Sequence, residues 1–304
     1  FSHKSSDVIK TLEIEMRRCG VQVKLNTQVL SIDKTDGGFI VKTDQKDEIC
    51  DKVVVATGGY SYQSTGSTGD GYKFAKSFGL NIVEPRQALV PIILAQNVSS
   101  LQGISLKNVT LTAYDENGKE MSSEFGEMLF TQRGVSGPIA LTTSSYINRK
   151  SKVTLSLDLK PALGVDTLDK RILRDFDERK NQDIKNVTRA LLPERLNSYV
   201  IKRAGIQESK KVNSITKQER EKLVYTLKNL TFDVVGLAPF TEAIVTAGGV
   251  DVKGLKPTCE CKTVDGLYFV GETIDIDALT GGFNLQLAFA TGVCAARDIV
   301  KKMQ

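Results

Sequence analysis

The sequence predicts an α/β protein with a doubly wound sheet that is interrupted by an insertion. Residues 53–56 (VVVA) and 267–270 (LYFV) are short apolar runs, typical of strands covered on both faces of a parallel sheet. Both runs end in a glycine-containing turn. Between them the pattern changes to alternating strands and then to helices. We therefore predict a discontinuous α/β domain, residues 1–85 and 236–304, with the insertion between its two parts.

The composition is that of a soluble globular protein: 304 residues, 40% hydrophobic and 25% charged. The net charge of +5 does not by itself indicate nucleic acid or membrane. No apolar run is long enough to span a bilayer, so no membrane partner is expected. Five scattered cysteines form no disulfide framework, which favours a cytoplasmic location. A single histidine, His3, excludes a His-based triad, and no metal site is predicted.

The N-terminal part begins with an amphipathic pattern that predicts a helix with a serine N-cap, a basic last turn and a stop at Gly20. Alternating or β-branched residues then predict strands at 21–25, 29–32, 39–43 and 49–50, with a hairpin turn at 36–38. This order is typical of the middle of a doubly wound domain. The G-x-G-x-x-G fingerprint that usually opens such a domain is absent. The glycines of residues 66–71 are spaced differently and predict a turn into a helix at 72–78.

The insertion has two predicted parts. In residues 86–165, four strand-like runs and the hairpin signal Asp115-Glu116-Asn117-Gly118 predict an antiparallel β subdomain. Residues 133–138 are interpreted as a shaped loop rather than a strand. Residues 166–235 predict a helical subdomain, with Thr216 and Glu219 as a capping box. Its residues 166–229 carry 16 Lys and Arg against 10 Asp and Glu. The mixed signs favour a solvated face over contact with RNA.

Residues 271–292 form the most specific motif. Glu272 follows the second apolar strand directly, and Gly281-Gly282 opens an apolar segment that predicts a buried helix over 283–300. Glycines let the backbone approach a ligand, and a helix N-terminus offers free N–H donors and a positive dipole end. This arrangement predicts a site for a ribityl-phosphate cofactor. The alternative is an ordinary connection between a strand and a helix.

Four motifs in order give the chain a family resemblance: ATGGYSYQSTGSTGDGYKFAKSFG (56–79), GEMLFTQRGVSGPIAL (126–141), TAGGVDV (246–252) and GLYFVGETIDIDALTGGFNLQLAFATG (266–292). They resemble the bacterial FAD-binding flavoproteins of the aminoacetone oxidase family, within the glutathione-reductase-like, two-dinucleotide-binding group. The resemblance covers essentially the whole chain. It implies a Rossmann-type FAD-binding domain with inserted β and helical subdomains. Because Phe1 corresponds to a point well inside the family's sequence, we expect this chain to lack the family's N-terminal dinucleotide-binding segment.

The resemblance also implies which residues hold FAD. Val29 would contact the adenine through its main chain, and Glu272 would accept a hydrogen bond from a ribityl hydroxyl. For Ala56 and Thr57, packing at the strand end is an equally good explanation. The implied cofactor-binding residues are Val29, Ala56, Thr57, Gly58, Gly271, Glu272, Gly281, Gly282, Phe283, Asn284 and Leu285.

The predicted function is an FAD-dependent oxidoreductase that acts on a small molecule by hydride transfer to or from the flavin. Within the resembled family the activities are amine or amino-ketone oxidation and enone reduction, with NAD(P)H as a candidate electron donor. No catalytic side chain stands out, although Tyr60, Tyr62 and Arg133 are candidates to line a substrate pocket. Two alternatives are a tRNA-modifying flavoprotein that uses the basic helical subdomain, and a non-catalytic fragment with an incomplete FAD site. Substrate, electron acceptor and oligomeric state stay open.

Overall fold

The computed structural model describes residues 4–304, so His3 and Phe1 lie outside the described residues. By its internal contacts the chain divides into two compact units, Phe1–Val53 and Val54–Gln304. Within residues 4–304, no helix is both long and apolar enough to cross a membrane. The predicted domain boundaries and the cytoplasmic location stay predictions.

The first unit holds one helix and a three-stranded antiparallel sheet in the order β1-β2-β3. Its elements are α1 (Ser5–Arg18), β1 (Val29–Thr35), β2 (Gly38–Thr43) and β3 (Glu48–Cys50). The hairpin between β1 and β2 is confirmed. The predicted serine N-cap is wrong, because α1 begins at Ser5 and Lys4 occupies the cap position. The strand predicted at 21–25 is also wrong: these residues are exposed and form no ladder in the described structure.

The second unit contains a closed barrel of six strands in the order β10-β11-β6-β9-β8-β7. All its described pairs are antiparallel. The strands are β6 (Ile92–Leu94), β7 (Ser105–Asp115), β8 (Glu120–Phe130), β9 (Gly134–Ser136), β10 (Val153–Asp158) and β11 (Leu230–Leu237). The predicted hairpin after β7 is confirmed, and Asp115 Oδ1 accepts hydrogen bonds from the backbone N–H groups of Asn117 and Lys119.

Two predictions for this region need correction. Residues 133–138 are not only a shaped loop, since Gly134–Ser136 is a barrel strand. A Cβ at Gly134 would lie 1.9 Å from the carbonyl oxygen of Ile92, so glycine is what lets β9 approach β6. Residues 230–235, included in the predicted helical part, belong to strand β11. The barrel closes only with a sixth strand, and this strand, β11, follows the helices in the sequence.

The helical segment lies between β10 and β11 and packs its apolar side into the barrel's core cluster. Its helices are α4 (Val165–Glu178), α5 (Ile184–Thr188), α6 (Glu194–Arg203) and α7 (Lys217–Lys228). The capping box of α7 is confirmed: Thr216 Oγ1 accepts from the Glu219 N–H, and the Glu219 carboxylate accepts from the Thr216 N–H.

The remaining helices and strands include those that carry the candidate site described below. They are β4 (Val53–Val55), α2 (Asp70–Ser77), β5 (Ile82–Ala88), α3 (Pro138–Ile147), β12 (Val245–Val250), β13 (Leu267–Phe269) and α8 (Phe283–Met303). β13 lies beside β4, and the N–H of Val270 donates to the carbonyl of Val55 at 3.0 Å. β12 is fully buried, and its partner β5 runs antiparallel to it. Uniform burial gives an apolar run whichever direction the neighbouring strand takes.

Two burial predictions are wrong. The strand at 53–55 was predicted to be buried on both faces, but Val54 is 43% exposed. Helix α8 was predicted to be buried, yet among its residues only Ala295 is buried. Apolar composition shows that a segment can be buried, whereas burial itself requires a covering element.

Candidate functional site

The turn after β4 contains three of the predicted cofactor residues. Ala56 is exposed, whereas Thr57 and Gly58 are half-buried. The hydroxyl of Thr57 is buried and, within the described residues, has no hydrogen-bond partner. The carbonyl of Gly58 accepts a 3.4 Å hydrogen bond from the hydroxyl of Thr273, which lies just beyond β13. This turn therefore lies next to the segment that carries Glu272.

Thr246, a fully buried residue of β12, joins three segments of the site. Its hydroxyl accepts hydrogen bonds from the backbone N–H groups of Tyr60 at 2.8 Å and Ser61 at 3.1 Å. Its own backbone N–H donates to Glu272 Oε1 at 2.8 Å. We did not predict this residue from the sequence. The signal that could have found it is the TAGG motif, which places a polar residue inside an otherwise apolar buried strand.

Glu272 lies in a 3-10 turn, Gly271–Thr273, directly after β13, and is half-buried. Burial raises the pKa of its carboxyl above the ordinary value, hydrogen bonds from Thr246 oppose that rise, and the charge of Asp277 adds to it. The backbone of Gly271 is anchored to α8, since its N–H donates to the hydroxyl of Thr291 at 2.9 Å. A carboxylate offers several acceptor positions, so its bond to Thr246 leaves capacity for a ligand hydroxyl.

The start of α8 is organised by a glycine turn and an asparagine. Gly281 and Gly282 have φ angles of +115° and +85°, which side-chain-bearing residues rarely adopt. Asn284 Oδ1 accepts from the N–H of Ala278 at 2.8 Å, and its Nδ2 donates to the Ala278 carbonyl at 2.7 Å. No side chain caps the helix at Gly282. The first amides of a helix have no intrahelical acceptor, so this end can bind an electron-rich group.

A buried phenol also lies in this region. Tyr72 of α2 is 4% exposed, and its hydroxyl has no partner among the described residues. Burial raises the pKa of Tyr72 far above its usual range, and the charge of Glu272 adds to the rise. Its ring contacts that of Tyr60, with ring centroids 5.3 Å apart. The sequence alone gave no signal for Tyr72 beyond its place after a glycine-rich turn.

These groups fit part of FAD. The Thr57 hydroxyl is a buried polar group that a ligand could satisfy, Glu272 suits a ribityl hydroxyl, and the uncapped helix end suits the isoalloxazine. The structure brings Thr57, Gly58, Gly271 and Glu272 together, and it places residues 281–285 at the start of the helix that holds Gly271. Val29 belongs to the first unit, where it begins β1 and pairs with Thr43 next to an irregularity in register. Its contact with adenine stays a prediction.

The three residues suggested for a substrate pocket lie on different elements. Tyr60 is half-buried between Tyr72 and the ring of Phe240. Tyr62 is exposed and adopts a left-handed backbone conformation with φ +56°. Arg133 is exposed in the turn between β8 and β9 of the barrel. A shared role for them stays a prediction.

The described structure is a mixed α/β protein with an inserted six-stranded barrel and a glycine turn at the start of α8. Comparison with known proteins makes the assignment more specific. The chain belongs to the HI0933-like protein Rossmann domain family, whose model matches residues 1–298. The narrower label of aminoacetone oxidase stays a prediction.

Three curated relatives align with nearly the whole chain. It is 32% identical to a ribosomal RNA dihydrouridine synthase of Escherichia coli (strain K12) over 97% of this chain and 72% of the relative. It is 31% identical to the protein of the same name from Haemophilus influenzae, over 98% of this chain and 73% of the relative. It is 26% identical to a 3-dehydro-bile acid delta(4,6)-reductase of Clostridium scindens, over 99% of this chain and 75% of the relative.

Proposed function

We propose that this chain is an FAD-dependent reductase that saturates a carbon–carbon double bond conjugated to a carbonyl. The observation that carries the cofactor assignment is the uncapped start of α8, a helix whose Thr291 binds the turn that holds Glu272. The reaction class comes from the names of the relatives. Dihydrouridine is uridine with its C5–C6 bond saturated, and that bond is conjugated to the C4 carbonyl. A delta(4,6) bond system next to a 3-oxo group is conjugated in the same way.

The residues of the site have distinct proposed roles. When bound and reduced by a donor such as NADPH, FAD would supply the hydride that such a reduction needs, and the second hydrogen would be added as a proton. Glu272 accepts a hydrogen bond from a ribityl hydroxyl, and the backbone N–H of Thr246 holds the Glu272 carboxylate in place. The free amides at the start of α8 stabilise negative charge on the ring system. Asn284 fixes the loop that precedes this helix.

The substrate we favour is a uridine in ribosomal RNA. Two relatives of that name share 31–32% identity over nearly the whole chain, and the helical segment carries an excess of basic residues. The names of these relatives specify ribosomal RNA. We therefore propose ribosomal RNA, and not the transfer RNA of the alternative predicted from the sequence, as the substrate. A small conjugated ketone is the second candidate, supported by the bile-acid reductase.

The proposal is tested on the purified chain incubated with FAD and gel-filtered. We expect retained flavin absorption that is bleached by NADPH or dithionite without oxygen. Adding ribosomal RNA that lacks dihydrouridine is expected to restore the absorption, with a gain of two hydrogens in the uridine seen by nucleoside mass spectrometry. RNA already reduced at that position is the control. Reoxidation by a bile-acid enone but not by RNA would support the second candidate.

Two outcomes would contradict the proposal. A protein that retains no flavin would support the alternative of a non-catalytic fragment. A protein that retains reducible flavin but reduces neither substrate would leave the cofactor assignment standing and remove the reaction class.

A further inference from the structure

A groove of about 850 Å³ lies in the helical segment, well separated in sequence from residues 271–292. It is lined by the first turn of α4, the end of α6, one face of α7 and the start of β11. Its lining combines an aromatic ring, amide side chains and charged groups. Nothing in the proposed cofactor site uses these residues.

Helix α7 contributes the floor of the groove. Gln218, Lys222, Tyr225 and Asn229 recur at i, i+4, i+7 and i+11, so they share one face of the helix. The opposite face packs Leu223 and Leu227, among others, into the core cluster. Tyr225 is 64% exposed, which is unusual for a large ring on a helix that is otherwise well packed. An exposed ring between polar side chains is a platform on which a planar group can stack.

Two cations line the same groove as the Tyr225 ring. Lys222 is exposed and, within residues 4–304, has no acidic partner within ion-pair distance. Arg203 donates one N–H to the carbonyl of Thr231 at 3.0 Å, which leaves other guanidinium donors for a ligand. Both cations are therefore free to contact an anionic group in the groove that holds Tyr225.

The acidic groups of the groove are partly neutralised. Asp169 is paired with Arg220 at 2.7 Å, and Glu221 with Lys217 at 3.8 Å. Asp166, in the first turn of α4, forms the rim that an anion would avoid. The favourable side for phosphate is therefore the one that carries Lys222 and Arg203.

We propose that this groove binds single-stranded RNA, with Tyr225 stacking on one unpaired base and with Lys222 and Arg203 contacting the adjacent phosphates. Base stacking on aromatic rings combined with backbone contacts from cations is the usual way proteins hold unpaired RNA. The inference rests on the proposed function in that it takes RNA as the substrate. It adds a docking site on the protein that is distinct from the site at which the uridine would be reduced.

Fluorescence anisotropy with labelled single-stranded oligouridylate, and competition by ribosomal RNA, test the groove directly. We expect binding that weakens as salt rises. Tyr225→Ala is expected to weaken it by about 5- to 150-fold, the range for the loss of one stacked base. Tyr225→Phe keeps the ring and is expected to bind like the unmodified chain. Lys222→Gln is expected to reduce the slope of log affinity against log salt by about one, and Asp166→Asn to strengthen binding.

Matched controls separate the groove from general effects. Phe125→Ala removes a ring that is also 64% exposed but lies on barrel strand β8. Lys180→Gln removes an exposed cation just beyond the C-terminal end of α4, the helix whose first turn lines the groove. Neither is expected to change affinity beyond twofold, and circular dichroism checks that each variant is folded. Equal binding by Tyr225→Ala and the unmodified chain, or no RNA binding at low salt, would overturn the inference.

The same preparations distinguish this inference from the proposed function. If the unmodified chain reduces uridine in RNA and Tyr225→Ala reduces it equally well at limiting RNA, the RNA-docking role of the groove is wrong and the proposed function stands. If RNA binds through Tyr225 but no uridine is reduced, the RNA-docking role of the groove stands and the proposed function is wrong.

Discussion

The barrel with its helices and the region around the cofactor site are built in different ways. Helix α6 has 10 residues and buries four of them, whereas α8 has 21 residues and buries only Ala295. A single cluster of buried apolar side chains extends through the barrel and the helices around it. The barrel is therefore stabilised mainly by apolar burial, and α8 is held largely by polar contacts.

The polar contacts of α8 are distributed along its length. Near its start, Asn284 holds the loop at Ala278, and further along Thr291 binds the N–H of Gly271. Near its end, Lys302 binds the fully buried carboxylate of Glu260 and also Asp298. Because hydrogen bonds set geometry more sharply than apolar contacts do, this arrangement fixes the position of α8 while leaving an apolar face exposed.

The largest effect that can test this contrast is the removal of an aromatic ring from each region. Phe232 of β11 is 1% exposed and its ring lies 6.1 Å from that of Phe130. Phe232→Ala is expected to lower the free energy of unfolding by about 3–5 kcal/mol. Phe289→Ala on α8, where the ring is 53% exposed, is expected to cost under about 1 kcal/mol. Urea unfolding measures both, and similar losses would remove the contrast.

A smaller effect is expected from the charge network at the end of α8. Burial alone would raise the pKa of Glu260, but hydrogen bonds from Lys256, Lys302 and the N–H of Gly266 outweigh it and lower the pKa to about 2. Glu260→Gln removes the buried carboxylate that the two lysines share, so that Lys256 keeps only Asp265 and Lys302 only Asp298 as ion-pair partners. This change is expected to cost about 3 kcal/mol at neutral pH.

The sign of the pH dependence follows from the lowered pKa of Glu260. Its stabilisation is fully present above the unfolded pKa of about 4.5 and is lost as pH falls towards about 2. The difference in unfolding free energy between the unmodified chain and Glu260→Gln should therefore shrink as pH falls below about 4.5. A difference that stays constant down to pH 2 would show that Glu260 acts through packing alone.

The sequence predicted those parts of the fold that local patterns determine. The capping box of α7, the hairpin at Asp115 and the glycine turn before α8 depend on neighbours a few residues away. The direction of β12, the exposure of α8 and the strand at 134–136 depend on residues far along the chain. For the same reason the sequence indicated Glu272, which follows a strand directly, but missed Thr246, which meets Tyr60 across 186 positions.

The contact between Asn284 and Ala278 gives a prediction limited to the cofactor site. Asn284→Ala removes both hydrogen bonds to Ala278, so the loop before α8 is expected to lose its fixed position. Losing about 1–2 kcal/mol of preorganisation corresponds to FAD binding about 5- to 30-fold more weakly. Gln286→Ala, two residues on at an exposed position, is the control. Flavin titration followed by fluorescence quenching measures both, and equal affinities would show that the side chain of Asn284 does not support the site.

The smallest expected effect concerns the protonation of Glu272. Its pKa is raised in the folded chain, so this carboxyl favours folding below its unfolded pKa and that contribution is lost as pH rises through the folded value.

FAD binding should depend on pH in the opposite direction, because a ribityl hydroxyl donates best to the ionised carboxylate. FAD affinity is therefore expected to fall as pH is lowered through the raised pKa of Glu272. Glu272→Gln should bind FAD about 2- to 5-fold more weakly at neutral pH, the difference between a charged and a neutral acceptor, and should lose that pH dependence. An unchanged pH profile in Glu272→Gln would show that another group controls flavin binding and that the polar anchoring of this region does not extend to the cofactor.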